Sequence, residues 1–122
     1  MREGINDPER LRLMMEAIAN IEEFVKDTKT YDQFADNKIL CHAVAYNLQC
    51  IGECAYKLSR EFVASHSDID WMAIEGLRHV LVHDYYAVNF RTVWSVVTDD
   101  LPALKEWLNR KEQLKISPVS GS

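Results

Sequence analysis

One short run gathers most of the chemically useful side chains: Arg78-His79-Val80-Leu81-Val82-His83-Asp84-Tyr85-Tyr86. An arginine offers a planar cationic fork that can hold a pair of anionic oxygens. A histidine changes charge near neutral pH and can accept or donate a proton. At about 100° per residue, Arg78 and His83 are five positions apart and fall on different faces of a regular helix. His79 and His83 are four apart and share a face. Arg78 and His83 converge only if the helix ends or loosens near His83. Alternatively, two copies of the helix meet across a dimer axis and each supplies half of a site.

A metal site is the competing use of the same residues. His79 and His83 at i and i+4, with Asp84 next, could ligate one ion, as in zincin helices. The glutamate such helices carry after the first His is absent, because Val80 stands there. No third His or Cys follows at ligand spacing, and His42 and His66 are distant in sequence. No metal and no cofactor is therefore assigned. Plainer roles weigh against chemistry at each position. Arg78 could form a surface or interface ion pair, His83 a hydrogen-bonded helix end, and Tyr85 a packed aromatic.

The rest of the chain must position this run. Its 122 residues fit one domain, large enough to bury a core without disulfides or a structural metal. There are only 4 Gly and 3 Pro, and no Pro between residues 9 and 101. Few turn residues point to a few long helices. The formal charge of −5 argues against a protein that coats a phosphate backbone, so any nucleic-acid contact must be local or use a partner's charge. Cys41, Cys50 and Cys54 are odd in number, form no Cys-x-x-Cys pair, and read as small core residues. No charged segment leads an apolar run at the N-terminus, and no stretch approaches the roughly 20 apolar residues of a membrane span. A cytoplasmic protein without a membrane partner is expected.

The expected fold class is all-α, an up-and-down four-helix bundle. Asp7 is expected to cap a first helix with Pro8 behind it, carrying Leu11, Met14, Ile18, Ile21 and Val25 and ending near Thr28. Residues 29–37 read as a polar connection ending in a cap. A second, central helix is expected from about Lys38 to Ala64, with Ile39, Leu40, Ala43, Val44, Leu48, Ile51, Ala55, Leu58 and Phe62 as its stripe. Asp70 is expected to cap a third helix from Trp71 to about His83, and Asn89 a fourth carrying Phe90, Val93, Trp94, Val97, Leu101, Leu104 and Leu108. Pro102 falls inside the fourth pattern and should kink or split it. The Met and Trp residues sit at core spacing. Residues 1–115 are read as one domain and 116–122 as a flexible tail.

In this setting Arg78-x4-His83-x-Tyr85 resembles the Arg-x4-6-His motif of HEPN domains, in the form found in HepT-like toxins. The likeness extends over roughly residues 10–108. Asn47-Leu48-Gln49-Cys50-Ile51-Gly52-Glu53 is similar to the family's second-helix pattern. Ile69-Asp70-Trp71, Gly76-Leu77-Arg78, Val93-Trp94 and Leu101-Pro102 are similar to its other landmarks. His79 departs from the Asn that many members carry after the Arg. The resemblance implies a metal-independent endoribonuclease of a toxin–antitoxin pair, with Arg78 and His83 catalytic. His79, Glu53 and Asp84 take supporting roles, Glu53 by facing the motif from the second helix. It implies a homodimer whose motif helices face each other, RNA as substrate, and a small nucleotidyltransferase as partner. That partner adds AMP to Tyr85, with Tyr86 the adjacent candidate. Two other functions remain: a non-catalytic HEPN module that binds nucleotide or RNA, and a plain helical dimerisation protein.

Overall fold

A computed structural model describes residues 6–79 and 90–120, with side chains up to Arg110. Every regular element among these residues is helical. The order is α1 (Asp7–Val25), α2 (Tyr31–Asp36), α3 (Lys38–Tyr56), α4 (Arg60–Ser65), α5 (Trp71–Glu75), a 3-10 turn (Gly76–Arg78), α6 (Phe90–Ser95), a π turn (Val96–Asp100) and α7 (Leu101–Ser120). The all-α bundle is as expected, with two short helices, α2 and α4, where a loop and a continuous helix were predicted. No helix among the described residues is long and apolar enough to cross a membrane.

The central pair is α1 and α3. Met14, Ile18 and Ile21 from one helix meet Val44, Leu48 and Ile51 from the other, all fully buried. Burying each such side chain contributes roughly 1.5–3 kcal/mol. Two polar contacts fix the direction. Asp7 meets Ser59 just beyond α3, while Asn20 donates to Asn47 over 3.2 Å. One index rises as the other falls, so the helices run antiparallel. Asn47 is the one buried polar residue among the described core positions, and its amide also donates to the Ala43 carbonyl at 2.9 Å.

The cap of α1 is Asn6, whose side chain accepts from the Glu9 N–H at 3.0 Å. Asp7, expected in that role, instead accepts from the Ser59 N–H at 2.9 Å and the Ser59 hydroxyl at 2.6 Å. This contact also explains why the predicted Lys38–Ala64 helix is two. Ser59 turns its hydroxyl to the Phe62 N–H and caps α4, so the chain breaks at residues 57–59. Within the polar 29–37 connection, Thr30 caps α2 and Phe34 is fully buried, tilted against Trp94 at 5.1 Å. Asn37 caps α3, matching the expected cap. Ile39 leaves the predicted stripe and is 84% exposed, and Met72 likewise is exposed rather than core.

The last helical run is interrupted just before Pro102, by the π turn Val96–Asp100. The Leu101 N–H donates to the Val96 carbonyl, one residue beyond the α-helical partner, so the π turn absorbs the irregularity just before the proline. Pro102 then occupies the second position of α7, where a missing N–H is tolerated. The helix continues to Ser120, into the segment expected to fray. Lys105 pairs with Glu22 at 2.9 Å, joining α7 to α1.

An aromatic cluster sets where α5 begins. Trp71 and Trp107 meet edge to face at 5.4 Å, and Phe62 stacks on His66 at 4.1 Å. The indoles are satisfied: Trp71 donates to the His66 carbonyl at 2.8 Å, and Trp107 to the Asp68 carboxylate at 2.7 Å. Asp70 caps α5 as expected. Trp71, anchored at the first position of α5, thus fixes the approach to the motif.

Candidate active site

The helix loosens at Arg78. After the five residues of α5 the chain tightens into the 3-10 turn Gly76–Arg78, with His79 as its C-cap at φ −96° and ψ 2°. The irregularity expected near His83 lies outside the described residues, whereas Arg78 itself closes a 3-10 turn. A 3-10 turn is a common ending for an α-helix.

The turn lies directly on α3, and Gly52 is the reason it can. A Cβ at position 52 would overlap the backbone nitrogen of Arg78 and stand 3.0 Å from both Arg78 Cα and the Leu77 carbonyl carbon. Gly52 is buried and helical, without positive φ. The absence of a side chain, rather than backbone freedom, is what the position requires. Gly76 differs, since a Cβ there would meet nothing within 4 Å.

Arg78 is half-buried, and its guanidinium carbon sits 3.6 Å above the centre of the Tyr56 ring. Tyr56 lies four residues after Gly52 and therefore on the same face of α3. One face of one helix thus holds both ends of Arg78, its backbone through Gly52 and its cation through Tyr56. A cation over an aromatic face is attracted by the ring quadrupole, while the edge of the guanidinium keeps its donors for an anion. Beside Tyr56 lies an open depression of about 610 Å³ lined by Leu58, Arg60, Val63, Ala64 and Glu75. Arg60 places a second cation beside the motif turn.

The other expected residues divide. His79 is exposed at the end of the turn. His83, Asp84, Tyr85 and Tyr86 lie outside the described residues, as does the expected Asn89 cap. Glu53 is half-buried and lines a separate cleft of about 490 Å³ between α1 and α3, with Asn20, Asn47 and Cys50. Because Gly52 faces the motif turn, the next residue points about 100° away around α3. Among the described residues Glu53 makes no ion pair or hydrogen bond with Arg78. In the same cleft, the hydrogen bond between Tyr46 and Cys50 holds the Tyr46 phenol above its ordinary range.

Tyr56 was not singled out from sequence. The available signal was a glycine in the middle of an otherwise well-formed helix, where it costs about 1 kcal/mol relative to Ala. An aromatic one turn further along the same face completes that signal. A mid-helix glycine implies a close neighbour, and the aromatic beside it faces the same neighbour.

The family model described as ribonuclease HepT-like matches residues 14–110. A protein of Methanocaldococcus jannaschii named "Putative RNase MJ1380" is 30% identical over 93 residues, covering 76% of this chain and 84% of that one. "Probable ribonuclease HepT" of Thermococcus cleftensis is 34% identical over 90 residues, covering 74% and 81%. A further M. jannaschii protein, "Gamma-glutamylcyclotransferase and putative RNase MJ0434", is 38% identical over 96 residues, which is 79% of this chain and 43% of that longer one. No solved structure matches.

Proposed function

Because this chain belongs to the HepT-like ribonuclease family, we propose that it is a metal-independent endoribonuclease, the toxin of a toxin–antitoxin pair. The observation that carries this reading is Arg78, the first residue of the motif, half-buried and held on α3 at both ends by Gly52 and Tyr56.

In this reading Arg78 bridges the oxygens of the scissile phosphate, and His83 takes the proton of the neighbouring 2′-OH. The 2′ oxygen bonds to phosphorus, the bond to the 5′ oxygen breaks, and that oxygen leaves with a proton. The phosphorane between these states carries extra negative charge, which favours a fixed guanidinium over solvent. A second copy supplies the second histidine, one acting as base and the other as acid. The proposal therefore includes a homodimer with the Trp71–Tyr85 segment near the two-fold axis. It also includes a nucleotidyltransferase partner that attaches AMP to the Tyr85 hydroxyl and so silences the enzyme, with both acting in the cytoplasm.

The chemistry of the product ends tests this. Attack by the 2′-OH leaves a 2′,3′-cyclic phosphate and a 5′-hydroxyl. Those ends on cleaved RNA support the reading. A 5′-phosphate would mean attack by water from the other side and would overturn it.

A further inference from the structure

We propose that Tyr56 is a positioning residue for Arg78, its ring holding the guanidinium in the orientation that receives an RNA phosphate. The inference rests on the reading of Arg78 given above and extends it to a residue outside the motif.

Tyr56 is the last residue of α3 and is 51% exposed. An aromatic so exposed adds little to the core, and its close contact is with Arg78. The guanidinium carbon lies 3.6 Å above the ring centre, a van der Waals stacking distance. An arginine side chain has several rotatable bonds, and an unrestrained one places its charge in many positions. Here the backbone end is seated on Gly52, and the charged end rests on a ring one turn along the same helix. Face-on contact with the ring leaves the N–H edge for the bidentate pairing that phosphate requires. Arg12 shows the alternative. Its edge is taken up by Glu9 and Glu16, three hydrogen bonds in all. Among the described residues no carboxylate forms an ion pair with Arg78. Tyr56 orders the charge without neutralising it, as a carboxylate would.

The test compares Tyr56→Phe and Tyr56→Leu in the full chain, with two readouts. The first is RNA cleavage. Losing the stack should lower kcat about 5- to 30-fold in Tyr56→Leu with KM little changed, while Tyr56→Phe, which keeps the ring, stays near wild type. In an Arg78→Ala background Tyr56→Leu should cost nothing more. The second readout is the NMR signal of the Arg78 side chain, which a ring beneath it shifts upfield. That shift should persist in Tyr56→Phe and vanish in Tyr56→Leu. Full activity in Tyr56→Leu would overturn the proposal, as would an equal loss in Tyr56→Phe, which would assign the effect to the hydroxyl. A wild type that cleaves no RNA would overturn the ribonuclease reading instead. The upfield shift would then decide the stack by itself, and its absence from the wild type would refute it.

Discussion

The backbone of Arg78 lies so close to Cα of Gly52 that a methyl group there would overlap the Arg78 amide nitrogen. This one contact seats the motif turn on α3. Gly52→Ala must push the turn away or bend α3. Overpacking of this kind costs about 1–3 kcal/mol, and it displaces the cation as well. Urea unfolding should show a lower midpoint, and RNA cleavage should fall. Gly76→Ala is the matched control, since nothing lies within 4 Å of its Cβ position. It should leave stability unchanged or slightly raised. Equal effects at the two glycines would remove the seating role of Gly52.

Thiol chemistry provides a second check. Burial pushes the thiols of Cys41 and Cys54 above their ordinary value of 9.0. Both should react slowly with a maleimide in the native state, behind the half-buried Cys50. Their raised values also set a sign for stability. Above pH 9.0 the unfolded chain sheds these protons while the folded chain keeps them. Stability is therefore complete below that pH and falls as pH rises beyond it. Urea midpoints measured across this range should drop, and less so in a Cys41→Ala, Cys54→Ala variant. An identical drop in that variant would place the alkaline sensitivity elsewhere.

The pattern of apolar residues was enough to read the two long central helices, the Asn37 and Asp70 caps and the core role of Cys41 and Cys54. Short helices were not legible. Phe34 sits alone among polar neighbours, and no six-residue helix repeats often enough to show a period. The break at Ser59 depends on Asp7, a partner 52 positions away, and Asp7 in turn looked like a cap because Pro8 follows it. The interruption of the last helix at Pro102 was legible from local sterics, but not its form, a π turn just upstream. At the site, Arg78 was singled out by its spacing, but Gly52 and Tyr56 acquired meaning only once α3 met the motif turn. Ile39 shows the limit of a generously drawn stripe: at about 100° per residue it lies roughly opposite the face that Cys41, Val44, Leu48 and Ile51 bury.

Regulation at Tyr85 predicts a mass change. Co-expression with a cognate nucleotidyltransferase should add AMP to the chain. The added phosphate would compete for Arg78 as a tethered ligand and so block RNA. Tyr85→Phe should remain an active ribonuclease, escape the mass shift and escape silencing. A shift that persists in Tyr85→Phe would move the modified position elsewhere, with Tyr86 the first to examine.

The central claim is RNA cleavage by Arg78 and His83 without a metal, and one assay addresses it directly. A defined RNA is incubated with the wild type in EDTA, beside Arg78→Ala and His83→Ala at matched helical content. The wild type should cleave as fast in EDTA as without it, and each variant should lose about 100- to 10,000-fold, the range for removing a positioned acid–base or charge-stabilising group. Cleavage that EDTA abolishes, or that survives His83→Ala undiminished, would contradict the account.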